Sequence, residues 1–418
     1  MRMNNKKEMV PKLRFPEYIG NKLKITKLGK ISSIVKEKAG ENKYILMSVT
    51  SGVGLVSQAE KFGREIAGDS YKNYIVIKKY DFAYNKSATK QFPEGYISML
   101  EEYDIAAVPN SIFTCFRITG NESFPPFFNY LWHNNYHGHW LRKYIEVGAR
   151  AHGALSVDIK HLWSMPLALP DFKEQQKIVD CLSSIDELID AESRKLKALE
   201  KYKKGLMQRL FPAEGKTLPE WRFPEFQGCG EWKAKFIGKV CKMFSGGTPD
   251  TSKKEFYGGT IPFIRSAEIN KSFTELFITE DGFKNSSAKM VKKGDILIAL
   301  YGANSGEVAL SKIDGAINQA ILCLRHETNN AFVYHYFTHM KNWIISKYIQ
   351  GGQGNLSGQI IKSVKLYFPK PEEQKKITDC LSEIDILITE QSNKVEQLKT
   401  HKKGLMQGLF PSIEEADV

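Results

Sequence analysis

KKGLMQRLFP, Lys203 to Pro212, recurs as KKGLMQGLFP, Lys402 to Pro411, 199 residues further along the chain. Neither copy holds an Asp, Glu or His, so the duplication reads as a repeated joint rather than a repeated catalytic centre. The copies extend backwards without a gap. EQQKIVDCLSSIDELIDAESRKLKALEKYKKGLMQRLFP, from Glu174, aligns with EQKKITDCLSEIDILITEQSNKVEQLKTHKKGLMQGLFP, from Glu373, with well over half of the paired positions identical. Stations spaced alternately by four and three run Ile178, Leu182, Ile185, Ile189, Glu192, Leu196, Leu199, Lys203, Leu206 and Leu210 in the first copy. The second gives Ile377, Leu381, Ile384, Ile388, Gln391, Val395, Leu398, Lys402, Leu405 and Leu409. Eight of ten stations are apolar in each, with no internal proline. Such a pattern predicts a coiled-coil seam of about five heptads, on a helix on the order of 50 Å long. Gly205 and Gly404 lie near the ends, and Pro212 and Pro411 stop the helices. The matched polar stations, Glu192/Gln391 and Lys203/Lys402, are expected to fix register.

A shorter repeat precedes each globular block: VPKLRFPEY, Val10 to Tyr18, matches LPEWRFPEF, Leu218 to Phe226. The order is therefore lead-in motif, block and long helix, twice over. Two like units that bury their seams against each other in pseudo-twofold fashion set the helices antiparallel and bring the final LFP back to the first lead-in motif. The expected fold class is mixed α/β (α+β): two globular domains joined by two long antiparallel coiled-coil helices in a pseudo-twofold, circular arrangement. The expected boundaries are a lead-in at 1–18, a first block at 19–170, a central helix at 171–212, and a second lead-in at 213–226. A second block at 227–369, a C-terminal helix at 370–411 and a tail at 412–418 complete the chain. The blocks resemble each other distantly. KKYDFAYNK (Lys78 to Lys86) parallels KKGDILIALYG (Lys292 to Gly302), and Asn110, Cys115 and Arg117 keep the spacing of Asn318, Cys323 and Arg325. Runs such as YIVI (74–77) and ILIAL (296–300) predict strands between Gly-, Asn- and Lys-rich turns.

At 418 residues the chain is long enough for two or three domains. Sixty Lys+Arg against 47 Asp+Glu give a net charge of +13, which favours a polyanionic partner through counterion release. The basic amino terminus has no apolar stretch behind it and no segment approaches the length of a membrane span, so a cytoplasmic protein is expected. The six cysteines are scattered with no C-x-x-C pair, and are expected to be reduced and mostly buried.

Catalytic motifs fail on inspection. In SFPPFFNY, Phe124 stands where an amino-methyltransferase needs an amide or carboxylate acceptor. Gly52-Val53-Gly54 lacks the third glycine of a dinucleotide loop, and Gly215-Lys216-Thr217 lacks the first glycine of a phosphate loop. Neither Pro170-Asp171 nor Pro249-Asp250 is followed by the spaced acid and lysine of a magnesium-dependent nuclease. His133, His137 and His139 have ligand-like spacing, but His335 and His339 recur in the second block, and the wet face of an amphipathic helix is expected instead of a metal.

Several motifs, in order, resemble the specificity subunit of Type I restriction-modification systems: SGGTPDTSKKEFYGGTIPFIRSAEI (Ser245 to Ile269), GDILIALYGANSGEVAL (Gly294 to Leu310), AINQAILCLR (Ala316 to Arg325) and FPKPEEQKKI (Phe368 to Ile377). The first block departs from the pattern, with LMSVTSGVGLVSQ (Leu46 to Gln58) in place of the GGTP stretch. The resemblance implies a noncatalytic reader of a bipartite duplex DNA target, each block reading one half-site. It implies two modification subunits that bind S-adenosylmethionine and methylate adenine, and two restriction subunits driven by ATP with Mg²⁺, with no cofactor in this chain. Base readout needs forked donors and acceptors on loops. The candidates are Asn85, Lys86, Lys90, Gln91, Arg150 and His152 in the first block, and Thr248, Arg265, Tyr301, Asn304, Ser305, Gln353 and Asn355 in the second. The competing reading is that several of these only shape turns. The rival functions are a degenerate methyltransferase fused to a recognition block, and a coiled-coil scaffold that never touches DNA.

Overall fold

The computed structural model describes residues 9–64, 69–87, 89–110, 113–145, 158–302, 304–349 and 355–411. In chain order these form β1 (Lys24–Lys27), β2 (Ser32–Ile34), β3 (Met47–Thr50), β4 (Gly54–Ser57), α1 (Gln58–Phe62), β5 (Ile75–Lys78), β6 (Phe82–Asn85), β7 (Tyr96–Met99), β8 (Ile105–Val108) and β9 (Phe113–Ile118). Next come α2 (Pro125–His133), α3 (Tyr136–Leu141), α4 (Ile159–Trp163), β10 (Pro166–Leu169) and the 39-residue α5 (Phe172–Leu210). The second half supplies β11 (Lys233–Phe236), α6 (Ile237–Val240), β12 (Cys241–Ser245), β13 (Tyr257–Ile264), β14 (Phe277–Ile278), α7 (Glu280–Lys284), β15 (Lys289–Val291), β16 (Ile296–Ala299), β17 (Val308–Leu310), β18 (Gly315–Ile317) and β19 (Ile321–His326). It ends with α8 (Asn330–Ile349), α9 (Gly358–Ser363), β20 (Lys365–Phe368) and α10 (Pro371–Leu409), again 39 residues.

The chain divides into two units, Met1–Glu192 with Lys394–Val418, and Ser193–Asn393. Both divisions fall inside the long helices, so each unit holds one globular block with half of each helix. Packing explains the division. Ile178, Val179 and Leu182 of α5 join Met406 and Leu409 of α10 in the core of the first unit. Met207 and Leu210 of α5 join Ile377 and Leu381 of α10 in the core of the second. Each half-helix is thus part of a globular core.

The helix ends follow local chemistry. Asp171 Oδ1 accepts from the Glu174 amide at 2.9 Å, capping α5. Pro371 opens α10, where a missing amide costs nothing. Of the predicted seam, Ile178, Leu182, Ile377, Leu381, Ile384 and Val395 are buried, and Ile185, Ile189, Leu196, Leu199, Leu206, Ile388, Leu398 and Leu405 are partly buried. The helices run antiparallel: within the first unit Lys402 pairs with Asp186 at 2.5 Å and Lys394 with Glu192, and within the second Lys203 pairs with Asp385 at 2.5 Å. The lysine stations therefore make interhelical ion pairs.

In the first unit, β2, β9, β6 and β7 form an antiparallel sheet, with β3–β4, β5–β8 and β1–β10 as separate pairs. Alternation buries both faces: Phe82 and Tyr84 enter one cluster while Ala83 enters another. The second unit repeats the plan with β12, β19, β16 and β17, where Ile296 and Ile298 face one cluster and Leu297 and Ala299 the other. It also carries a mixed sheet, β14–β13–β18–β15, with β13 and β18 parallel. No such sheet forms among the described residues of the first unit, in line with the distant likeness of the blocks.

The lead-in motifs lock onto the helices. Leu13 donates its amide to Gly408 O at 2.9 Å, and Trp221 donates to Arg209 O at 2.9 Å, so the end of α10 does return to the first motif. Arg14 grips Glu174 through two hydrogen bonds, 2.9 and 2.5 Å, and Arg222 grips Glu373 at 2.8 and 2.6 Å. Both pairs are almost wholly buried.

His133 and His139 are exposed, as a wet helix face requires, but the histidine reading needs correction at two positions. His137 is buried with Nε2 3.4 Å from Gly95 O, and His335 is buried beneath the helix pair, so neither lies on a wet face. Large aromatic neighbours draw the ring of His137 inward: Tyr84 and Trp132 both meet it edge-on. No cluster of metal-ligating groups forms among the described residues. Cys115, Cys241 and Cys323 are buried and free, but Cys229 is exposed, and Cys181 and Cys380 are partly exposed.

Candidate nucleic-acid interface

In the second unit, strand register brings three loops to one end of the main sheet. Ser245 at the end of β12 lies opposite Leu322, and Ala299 at the end of β16 lies opposite Ile321. The loops that leave there are stitched together. Thr248 Oγ1 donates to Gln319 Oε1 at 2.6 Å, Leu300 N donates to Ala320 O at 2.8 Å, and Leu356 N donates to Leu300 O at 2.9 Å. Close approach explains the glycines. A Cβ on Gly246 would lie 1.7 Å from Ile317 O, and one on Gly247 would lie 2.1 Å from Ser287 Oγ.

This edge unites Thr248, Tyr301, Asn304, Ser305 and Asn355. Thr248 and Asn355 are exposed, while Tyr301, Asn304 and Ser305 are partly buried. Ser305 spends its hydroxyl proton on Leu300 O at 2.9 Å, which favours the turn-shaping reading for that residue. Hydroxyls and amides of both hydrogen-bonding senses are thus set along one rim, the chemistry that base edges require.

Arg265 leaves β13 beside this rim, because β13 and β18 run parallel and Ile264 pairs with Ile317. Its fork is already occupied: Nε and Nη2 donate to Glu268 at 3.1 and 2.9 Å, and Nη2 donates to Glu275 at 3.0 Å. The arginine drives the Glu268 carboxyl down to about 2. Its guanidinium thus holds the 265–275 turn while its side chain stays 44% exposed.

In the first unit the corresponding loop joins β6 to β7. Lys90 and Gln91 are exposed and Lys86 is partly buried. Asn85 is the exception to expectation. It is buried, its Oδ1 accepting from the Ser87 amide at 2.9 Å and its Nδ2 3.4 Å from Val49 O. Asn85 closes a strand paired on both sides, by β7 and β9, so its amide is used inside the fold. The loop is shaped by Thr89, whose Oγ1 accepts from the Phe92 amide at 3.0 Å. It is tethered by Glu94, which pairs with Arg142 at 2.7 Å. Gly52-Val53-Gly54 runs through the turn of the β3–β4 hairpin into β4, with Gly52 close against Phe92. Arg150, His152 and Gln353 lie outside the described residues.

Residue-by-residue reading missed the duplicated buried carboxylates. Besides the two Arg–Glu locks, Arg117 grips Asp81 at 2.6 Å through two bonds, and Arg325 grips Asp295 at 2.8 and 2.6 Å. The signal was the repetition itself: each of these residues sits in a motif or spacing that occurs twice.

The chain matches the family described as Type I restriction modification DNA specificity domain twice, over residues 23–201 and 230–399. It is 30% identical over 195 residues to the type I restriction enzyme MjaIX specificity subunit of Methanocaldococcus jannaschii, covering 44% of this chain and 45% of that one. It is 27% identical over 172 residues to the EcoR124I/EcoR124II specificity subunit of Escherichia coli, covering 38% and 42%. The chain spans between 42% and 65% of the length of these and related curated proteins. In fold it is similar to the crystal structure of the S subunit of a Type I system from M. genitalium, with a TM-score of 0.61 at 16% identity over 96% of this chain and 99% of that one.

Proposed function

We propose that this chain, which belongs to the Type I restriction-modification DNA specificity family, reads a bipartite duplex target, one half-site to each recognition block, without chemistry of its own. The observation that carries this reading is the loop rim of the second unit, where Thr248, Asn304 and Asn355 come together from three separate segments. The exposed Lys90 and Gln91 loop stands at the matching place in the first unit. A net charge of +13 supports the sequence-independent part of binding.

The long helices serve as the spacer and as the platform for partners. A 39-residue helix rises about 58 Å, long against the roughly 34–36 Å between half-sites one DNA turn apart. On their outward faces Leu188 in the first unit, and Tyr202, Ile386 and Leu387 in the second, are exposed and apolar, which suits docking of two modification subunits. S-adenosylmethionine belongs to those subunits, and ATP and Mg²⁺ to two restriction subunits. Among the described residues no helix is long and apolar enough to cross a membrane.

Footprinting of the assembled complex tests the reading: two protected tracts with an open gap are expected, and one continuous tract would refute it. Exchanging block 19–170 should change one tract alone. An added helical turn within 183–200 should change the gap alone. The isolated chain should not bind S-adenosylmethionine.

A further inference from the structure

In the first unit the recognition block is tied to both long helices at one polar point. Tyr130, on α2 of the block, donates its hydroxyl to Asp186 Oδ2 of α5 at 2.8 Å. The other oxygen of the same carboxylate accepts from Lys402 Nζ of α10 at 2.5 Å. That ammonium also lies 5.2 Å from the centre of the Tyr130 ring, within cation–π range. One carboxylate therefore holds three elements. Tyr130 is partly buried, as are Asp186 and Lys402, so water competes weakly for these bonds. The second unit uses the same residue types with the helices exchanged: Lys203 is on α5 and Asp385 on α10, with the Lys203 ammonium 5.9 Å from the Tyr334 ring. There the residue after the tyrosine is a buried histidine, His335, with Nδ1 3.9 Å from Asp385 Oδ2.

Apolar seam contacts choose a register only weakly, since a slide of one heptad exchanges like stations such as Leu182 with Ile189 and Leu199 with Leu206. A single carboxylate bonded to a lysine on one helix and a tyrosine on the block does choose, because a slide would strand a partly buried charge. We propose that the Tyr130–Asp186–Lys402 clamp is a specificity-determining positioning site: it sets where the first block sits on the helix pair, and so fixes the gap between half-sites without touching a base. This rests on the bipartite reading above.

The test selects bound duplexes from a random-sequence DNA library with the full chain in its DNA-binding complex. The wild-type protein should return two tracts separated by one gap length. Tyr130→Phe, which removes one oxygen and keeps the ring over Lys402, and Lys402→Met should return the same two tracts with a loss of the single preferred gap. Asp186→Lys combined with Lys402→Asp, which rebuilds the pair in reverse, should restore it. Tyr334→Phe, whose ring contact with Lys203 survives the change, should leave the gap as in wild type. An unchanged gap in Tyr130→Phe with native circular dichroism would overturn the clamp, as would altered letters within a tract. Should Lys402→Met fail to fold, Tyr130→Phe decides. A wild-type selection yielding a single continuous tract would sink the bipartite reading instead, so the two failures are distinguishable.

Discussion

Replacing Arg14 with Met should cost the first unit far more stability than loss of a surface charge. The Glu174 side chain is 2% exposed and that of Arg14 9%. Arg14 makes both hydrogen bonds found at that carboxylate, and it also donates to Asn21 O at 2.5 Å. Arg14→Met therefore leaves a buried carboxylate with no donor, a change worth about 3–5 kcal/mol when one partner of a buried pair is removed. For a domain of this size that lowers Tm by on the order of 10 °C. Glu174→Met should cost a similar amount, while the double change to two apolar side chains should cost much less than the sum, because no charge is stranded. In the second unit Trp232 Nε1 also donates to Glu373 at 3.3 Å, so Arg222→Met should be the milder of the two arginine changes. Urea titrations of the four proteins in the first cycle give the coupling directly. A loss below about 1 kcal/mol for Arg14→Met, or strict additivity in the cycle, would refute the claim that these buried charges lock the lead-in motifs to the helices.

Glycines near the helix ends separate open sites from crowded ones. Gly205→Ala and Gly404→Ala meet nothing within 4 Å and should each raise stability by about 1 kcal/mol in thermal melts, whereas Gly408→Ala would put a Cβ 2.4 Å from the Leu13 side chain and should lower it. Tyr80 is held at φ 72° where its counterpart Gly294 sits at φ 89°. Tyr80→Gly should therefore gain up to about 1 kcal/mol, while Tyr80→Ala, still strained, should gain nothing. Burial beside Lys203 pushes the His335 ring down to about 3, below its ordinary value of 6.5. The folded state then holds fewer protons than the unfolded chain between these values, so this histidine's contribution is present above pH 6.5 and falls away with acid. His335→Leu, the residue at the matching position 131, should spare roughly 2 kcal/mol at pH 5, and parallel pH–stability curves for wild type and variant would count against it.

The helix pair was legible in the sequence because its information is local and periodic. A seam every three or four residues survives any tertiary context, and Ile178 through Leu405 lie where that period puts them. The return of the final LFP to the first lead-in motif was also legible, since a duplicated motif implies a duplicated contact, seen as Leu13 on Gly408 and Trp221 on Arg209. Which core each half of a helix joins was not. Sequence marks where a helix begins, but which core each half joins depends on long-range packing of side chains such as Met207 and Met406. The partners of two candidate readers were hidden for a similar reason. Asn85 has the chemistry of a base reader, yet strands on both sides draw it inward; Arg265 has the best fork in its loop, yet two carboxylates, three and ten residues on, take it first.

A physical contrast separates what repeats from what varies. The charges of the frame are paired across elements: Arg14 with Glu174 and Arg222 with Glu373, almost wholly buried, and Lys203 and Lys402, partly buried, with aspartates on the opposite helix. Changing either partner strands a charge, so the frame resists drift in both halves alike. The loop rims carry no such debt. Thr248, Asn355, Lys90 and Gln91 stand in exposed positions, where surface substitutions usually shift stability by no more than about 0.5 kcal/mol. Mutations at these four positions should accordingly change DNA binding while leaving Tm nearly unmoved, the reverse of the pattern expected for Arg14. A large Tm loss at Lys90 or Thr248 would mean that the rim is part of the frame.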